Sequence, residues 1–147
     1  MTQQELQTFL YEQIPIARAL GAKVVHSDLK RTEIFAPLKP NINHVGTVFG
    51  GSLNSILVLA CYSWLFNFLE NHKLEGHVVL KSIEIKYSQP VAGDFSAVCS
   101  MPDAEKVERF RTMLERKGRS QISLESVINY KGTGACAFKG RFAVIPH

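Results

Sequence analysis

The residues best able to do chemistry lie together in the stretch HVGTVFGGSLN, where Gly46, Gly50, Gly51, Ser52 and Asn54 follow one another closely. Glycine has no Cβ, so a loop built on it takes positive φ and lets another group come close to its backbone. A long apolar run follows at once. The first N–H groups of a helix have no partner within it, so that end receives an anion well. Ser52 adds a hydroxyl near the helix start, and Asn54 adds a carboxamide one turn in. A second cluster is basic: Arg109, Arg111, Arg116, Lys117 and Arg119. Such a cluster can steer or clamp phosphates. It also suits a solvated helix face, because Glu105, Glu108 and Glu115 are interleaved with it. Cys61, Cys99 and Cys136 lie in apolar runs without CxxC or Cys/His spacing. They read as reduced, buried thiols, and neither a zinc site nor a disulfide framework is indicated. Nothing near Cys61 in sequence would lower its pKa and make it a nucleophile.

The elements that must position these groups are legible in outline. Residues 53–69 hold no formal charge, which predicts a helix wrapped by the protein. Asn54, Ser55, Tyr62, Ser63 and Asn67 interrupt the run and strands follow it, so a buried central helix is favoured over a membrane span. At about 100° per residue, Asn54, Leu57, Val58, Cys61, Trp64, Leu65 and Phe68 share the face expected to pack on a sheet. Ser52, Ser55, Tyr62, Ser63, Asn67 and Glu70 gather on the other.

Before this helix, residues 2–20 read as an amphipathic helix with a Thr2/Glu5 capping box, restarting at Pro15 and stopped by Gly21. Residues 22–28 and 32–38 alternate as two strands. After it come a strand through residues 78–87, with Ile83, Ile85 and Tyr87 on one side, and a return strand at 95–101. An amphipathic helix at 103–117 ends at Gly118, and residues 122–130 and 133–145 form a last hairpin. The order predicts an α+β architecture: a curled, mostly antiparallel sheet around one long central helix, with an N-terminal helix and a helix inserted between later strands.

The 147 residues are the size of one domain, 1–147, able to build a core unaided. Apolar content of 46% with 20% charged is ordinary for a globular protein. A net charge of +4 mildly favours acidic or phosphate-bearing partners, and no nucleic-acid motif accompanies it. The N terminus has neither a basic leader nor an apolar signal core, so a cytoplasmic location is expected.

Two motifs, Asn43-His44-Val45-Gly46-Thr47-Val48-Phe49-Gly50-Gly51 and Tyr87-Ser88-Gln89-Pro90-Val91-Ala92-Gly93-Asp94, resemble the hot-dog thioesterase superfamily, over nearly the whole chain. The first is similar to the Asn-x-x-Gly-x-x-His-Gly-Gly loop of phenylacetate-type members, with Asn43, Gly46, Gly50 and Gly51 in register. Gly-Thr-x-Phe-Gly-Gly-Ser-Leu looks still more like the thioesterase domain often fused to GNAT-type acetyltransferases. The chain has no room for that second domain, so a free-standing form is expected.

The resemblance implies hydrolysis of an acyl-CoA or acyl-carrier-protein thioester. Gly50 and Gly51 N–H groups would hold the oxyanion, and Asn43 would hold the carbonyl or the attacking water. No further cofactor is implied, since coenzyme A arrives as part of the substrate. A homodimer or dimer of dimers is implied, because such relatives build each site from two subunits.

Two departures stand out. Phe49 replaces the usual His and Val58 the usual helix carboxylate, so the ordinary general base is missing. Asn54 and His44 are the substitute candidates, although Asn54 could instead satisfy backbone groups in the core and His44 could be a solvated loop residue. Arg116, Lys117 and Arg119 are candidates for coenzyme A phosphates. A non-catalytic acyl-thioester binding or assembly module is the alternative function. A hot-dog dehydratase is weaker, because its His and acidic pair is not recognisable.

Overall fold

Thr2 and Glu5 form the capping box that their spacing predicts: the Glu5 N–H donates to Thr2 Oγ1 at 3.1 Å, and the Thr2 N–H to Glu5 Oε2 at 2.9 Å. In the computed structural model, which describes residues 1–147, helix α1 (Gln3–Gln13) buries Leu6 and Leu10, and Pro15 opens the single turn α2 (Ile16–Ala19). Strands β1 (Lys23–Ser27) and β2 (Arg31–Ala36) follow. A one-turn 3-10 helix, Lys39–Asn41, then leads to the glycine segment.

The long helix α3 spans Gly50–Asn71. It starts earlier than residue 53, so Gly50 and Gly51 belong to its first turn rather than to a preceding loop. Next come β3 (His77–Tyr87), β4 (Phe95–Ser100), α4 (Ala104–Lys117), β5 (Ser120–Tyr130) and β6 (Thr133–Ile145). The six strands form one sheet in the order β1-β2-β4-β5-β6-β3, and every neighbouring pair is antiparallel. The expected α+β, hot-dog arrangement is the observed one.

The sheet curls around α3 and is hydrogen-bonded to it. Thr32 Oγ1 donates to the Ala60 carbonyl at 2.6 Å, Ser126 Oγ to Leu57 O at 3.0 Å, and Trp64 Nε1 to Leu29 O at 3.0 Å. These bonds fix the helix in rotation as well as position, because each satisfies a polar group that burial would otherwise penalise. By length and hydropathy α3 could cross a membrane, yet 72% of its apolar window is buried within the protein.

The helix faces differ from the sequence expectation. Ser52, Ser63 and Asn67 are buried, whereas Asn54 and Val58 are only half-buried. The open side is instead the stripe Asn54, Val58, Tyr62 and Phe66. A helix enclosed on most of its circumference has no polar face to set the periodicity. Its buried polar groups are only partly satisfied: Asn67 Nδ2 donates to Ser27 Oγ at 2.7 Å, whereas Asn67 Oδ1 and Ser63 Oγ have no partner.

The two sheet edges are also unlike. Alongside β1, α1 supplies an amide pairing: the Val24 N–H donates to Gln7 Oε1 at 2.7 Å, and Gln7 Nε2 and Tyr11 Oη both donate to Ala22 O. Strand β3 pairs only with β6 and has no such cover, so Ile83 and Tyr87 are exposed rather than part of the core.

Candidate functional site

The turn before α3 is built by Asn43. Its Oδ1 accepts from the Val45 and Thr47 N–H groups, each at 3.0 Å, while its Nδ2 donates to Thr47 Oγ1 at 2.8 Å. This is an asparagine-nucleated turn, closed by the Ile42–Val48 bridge and by Gly46 at φ +87°. The Asn43 carboxamide is thus engaged within its own loop. His44 and Val45 stand exposed at the tip. The Val48 N–H donates to Val91 O and the Phe49 N–H to Asn41 O, both at 2.8 Å. Those two bonds fix the entry angle of the chain into α3.

At the helix start the Ser52 and Leu53 N–H groups both return to the Phe49 carbonyl. The Gly50 and Gly51 N–H groups find no acceptor in the chain, as the geometry of a helix terminus requires. The Phe49 ring lies over Gly51 where a Cβ would project, so a larger residue there would displace that exposed ring. Tyr87 Oη donates to the Gly50 carbonyl at 3.0 Å, and Ser55 Oγ to the Gly51 carbonyl at 2.9 Å. The peptide unit is planar. A bond that holds the Gly50 carbonyl therefore also sets the direction of the Gly51 N–H.

One turn further, Asn54 Oδ1 is buried without a hydrogen-bond partner. Asn54 and Ser55 begin the lining of a cavity of about 710 Å³, a size ordinary for a ligand pocket. The half-buried stripe of α3 forms its floor, α1 and the turn after it one wall, and the start of β3 the other. Partial burial pushes the Tyr62 phenol above its ordinary pKa, so it is a neutral hydroxyl at pH 7. No side chain in the lining is a carboxylate. His77 and His147 complete the rim, with ring nitrogens 3.2 Å apart.

The structure thus brings Gly50, Gly51 and Asn54 together at one helix end, with Asn43 and His44 in the loop before it. Arg116, Lys117 and Arg119 lie apart from the cavity. They occupy the end and exit of α4, which packs through Phe110 on Phe68, roughly 26 Å of helix from Gly51. The cysteines are all buried. Cys99 is pushed up in pKa by a hydrogen bond with the Cys61 thiol and by burial, and Cys136 by burial.

Sequence reasoning did not single out Tyr87, Ser55, Tyr62, Phe66 or Phe9 as site residues. The four-residue spacing of Asn54, Val58, Tyr62 and Phe66 was a usable signal for one helix stripe. Nothing in the sequence ties Tyr87 to Gly50, 37 positions away.

A curled antiparallel sheet around one central helix is the hot-dog fold, and here that helix starts with unused N–H donors and carries a cavity along its open stripe. Residues 3–146 match the sequence model of the family described as "Putative thioesterase (yiiD_Cterm)". The chain belongs to this family, and its activity class is thioester hydrolysis.

Among solved structures, a protein of unknown function from Chlorobaculum tepidum TLS is 30% identical with a TM-score of 0.93, over 99% of this chain and 94% of the other. A "putative thioesterase" from Shewanella oneidensis is 23% identical with a TM-score of 0.88, over 98% and 97%. A protein from Pseudomonas aeruginosa, titled "Probable Thioesterase", shares the fold at 16% identity and a TM-score of 0.83, over 100% and 97%.

Proposed function

We propose that the chain hydrolyses acyl thioesters of coenzyme A or of an acyl-carrier protein at the start of α3. The observation that carries this reading is that the first turn of α3 holds two unused N–H donors, on Gly50 and Gly51, one turn before Asn54, which lines the cavity and whose carboxamide oxygen has no partner in the chain. Water adds to the thioester carbonyl carbon, the carbonyl π pair moves onto oxygen, and the oxyanion accepts from the glycine N–H groups. Collapse expels the thiolate, while the proton of the added water passes to solvent. Loss of a single such donor costs about 3–4 kcal/mol in a well-studied enzyme. Thiols ionise near pH 8.5, so the leaving group needs little acid assistance.

Asn54 accepts a hydrogen bond from the attacking water and orients it, but an amide does not take the proton. Catalysis then rests on orientation and oxyanion stabilisation more than on general-base chemistry. The working form is a homodimer, or a dimer of dimers, joined along the uncovered β3 edge. The three buried free thiols suit a reducing, cytoplasmic setting.

The test is thiol release from a panel of short, medium, long and aromatic acyl-CoAs, with wild type and Asn54→Ala. Wild type turns over at least one of them. Asn54→Ala lowers kcat by about ten- to a hundredfold, and stability changes by no more than about 0.5 kcal/mol because no hydrogen bond is lost. An unchanged kcat removes Asn54 from the reaction. The log of the rate rises with pH through the neutral range without the inflection near pH 4–5 that a carboxylate base gives.

A further inference from the structure

We infer that this protein selects medium-chain acyl groups, and that the aromatic pair Phe66 and Phe9 is the residue set that limits chain length. The inference rests on the thioesterase reading, and it concerns what lies beyond the reacting carbonyl. The cavity floor runs along α3 through Asn54, Val58, Tyr62 and Phe66. Beyond Asn54 and Ser55, the rest of that stripe presents the Val58 methyls and the Tyr62 and Phe66 rings, while the polar Gln13, His77 and His147 belong to the walls and rim. A thioester held at Asn54 therefore points its chain toward the C-terminal end of α3.

Phe66 is the last residue of α3 that lines the cavity. Its ring meets Phe9 of α1 edge-on, with centroids 4.8 Å apart, and Tyr62 at 5.6 Å. Tyr62 in turn stacks edge-on against Phe142 at 5.5 Å, so this barrier is anchored in the core. Helix α1 cannot readily retreat, since Leu6 and Leu10 are buried and Gln7 is bonded to β1.

The length limit follows from helix and bond geometry. From Asn54 to Tyr62 the floor advances roughly 12 Å at 1.5 Å per residue. An extended hydrocarbon chain with bonds near 1.5 Å advances about 1.25 Å per carbon, so the open stretch takes about ten carbons by the same geometry. Removing the Phe66 ring opens one more helical turn, about 6 Å or four to five carbons.

Wild type, Phe66→Ala and Phe9→Ala are compared on straight-chain acyl-CoAs from two to eighteen carbons. Binding of the matching non-hydrolysable acyl-CoA thioethers is measured alongside, and oligomeric state is followed by light scattering. Wild type shows its highest kcat/KM near eight to ten carbons and at least a tenfold fall by sixteen. Either alanine variant moves the optimum upward by about four carbons, and its ratio of kcat/KM at fourteen carbons to that at eight rises at least tenfold over the wild-type ratio. If Phe66→Ala fails to fold, Phe9→Ala on the separate helix carries the same test.

A thioether series whose affinity optimum shifts in the variants while no substrate is hydrolysed overturns the thioesterase reading and leaves the length limit standing. Hydrolysis with an unshifted optimum overturns the length limit alone. A change in oligomeric state without a change in the length profile also overturns it, and assigns this stripe of α3 to contact with a second copy.

Discussion

Tyr87 and Asn43 carry the sharpest consequences at the scale of single residues. The Tyr87 hydroxyl makes its hydrogen bond to the Gly50 carbonyl, so its influence on the reaction passes through the orientation of the Gly51 N–H. Tyr87→Phe is expected to lower kcat about three- to tenfold with KM nearly unchanged, since an N–H aimed at the oxyanion acts mainly in the transition state. Steady-state kinetics with the best acyl-CoA check the split; a rise in KM at constant kcat would make the ring a substrate contact instead. Asn43 can be separated into two roles by substitution. Asn43→Asp keeps the acceptor for the Val45 and Thr47 N–H groups but loses the donated bond to Thr47. If Asn43 acts by shaping the loop, Asp retains most of the activity and Ala loses it; if its amide N–H holds substrate, both variants lose it.

The sequence made Gly50, Gly51 and Asn54 visible because glycine and a polar residue at a helix start are local signals. Hydrogen bonding already inside the Asn43 loop was not visible, because a turn-forming asparagine and a substrate-holding one look alike in a single sequence. The same holds for Tyr87, whose partner lies across the fold.

At the scale of elements, α3 is the part the rest of the fold positions, and its body was legible while its first turn and its rotation were not. Residues 53–69 announce a buried helix by lacking charge. Which side faces the cavity is decided by the bonds from Thr32, Ser126 and Trp64 to or from the helix, and by the route of α1 along it. Hence Ser63 and Asn67 went to the outer face in the sequence reading and are buried in the structure, and Val58 did the reverse. Trp64 is the largest fully buried side chain and donates its indole N–H to Leu29 O. Trp64→Ala is expected to cost about 3–5 kcal/mol, read as a fall in the denaturant midpoint. Thr32→Val removes only one bond to a helix carbonyl and should cost about 1 kcal/mol. A Trp64→Ala cost no larger than that of Thr32→Val would mean that α3 is not held as described.

The whole molecule has one sheet edge covered and one bare. Helix α1 meets β1 with the Gln7 amide, whereas β3 leaves Ile83 and Tyr87 exposed, with Phe49, Ile42 and Val45 exposed around the start of α3. An eleven-residue strand with unpaired backbone groups along its free side is a template for pairing, which soluble proteins cover or use. A second copy is the occupant that the proposed function calls for, and antiparallel β3–β3 pairing about a twofold axis would extend the sheet across both subunits. With the axis at Ile83, exposed near the middle of β3, that residue would lie directly opposite its own counterpart. Ile83→Glu would then set two carboxylates against each other at the centre of the interface, where like charges oppose pairing. Wild type is expected to scatter light as a dimer or larger at micromolar concentration. Ile83→Glu is expected to run as a monomer with an unchanged far-ultraviolet circular dichroism spectrum. It should also lose at least tenfold in kcat/KM, because the loop before α3 and the cavity mouth would no longer be supported by a second subunit. A wild-type monomer with full turnover would rule out a shared site, and a monomeric Ile83→Glu with undiminished turnover would place the whole reaction within one chain.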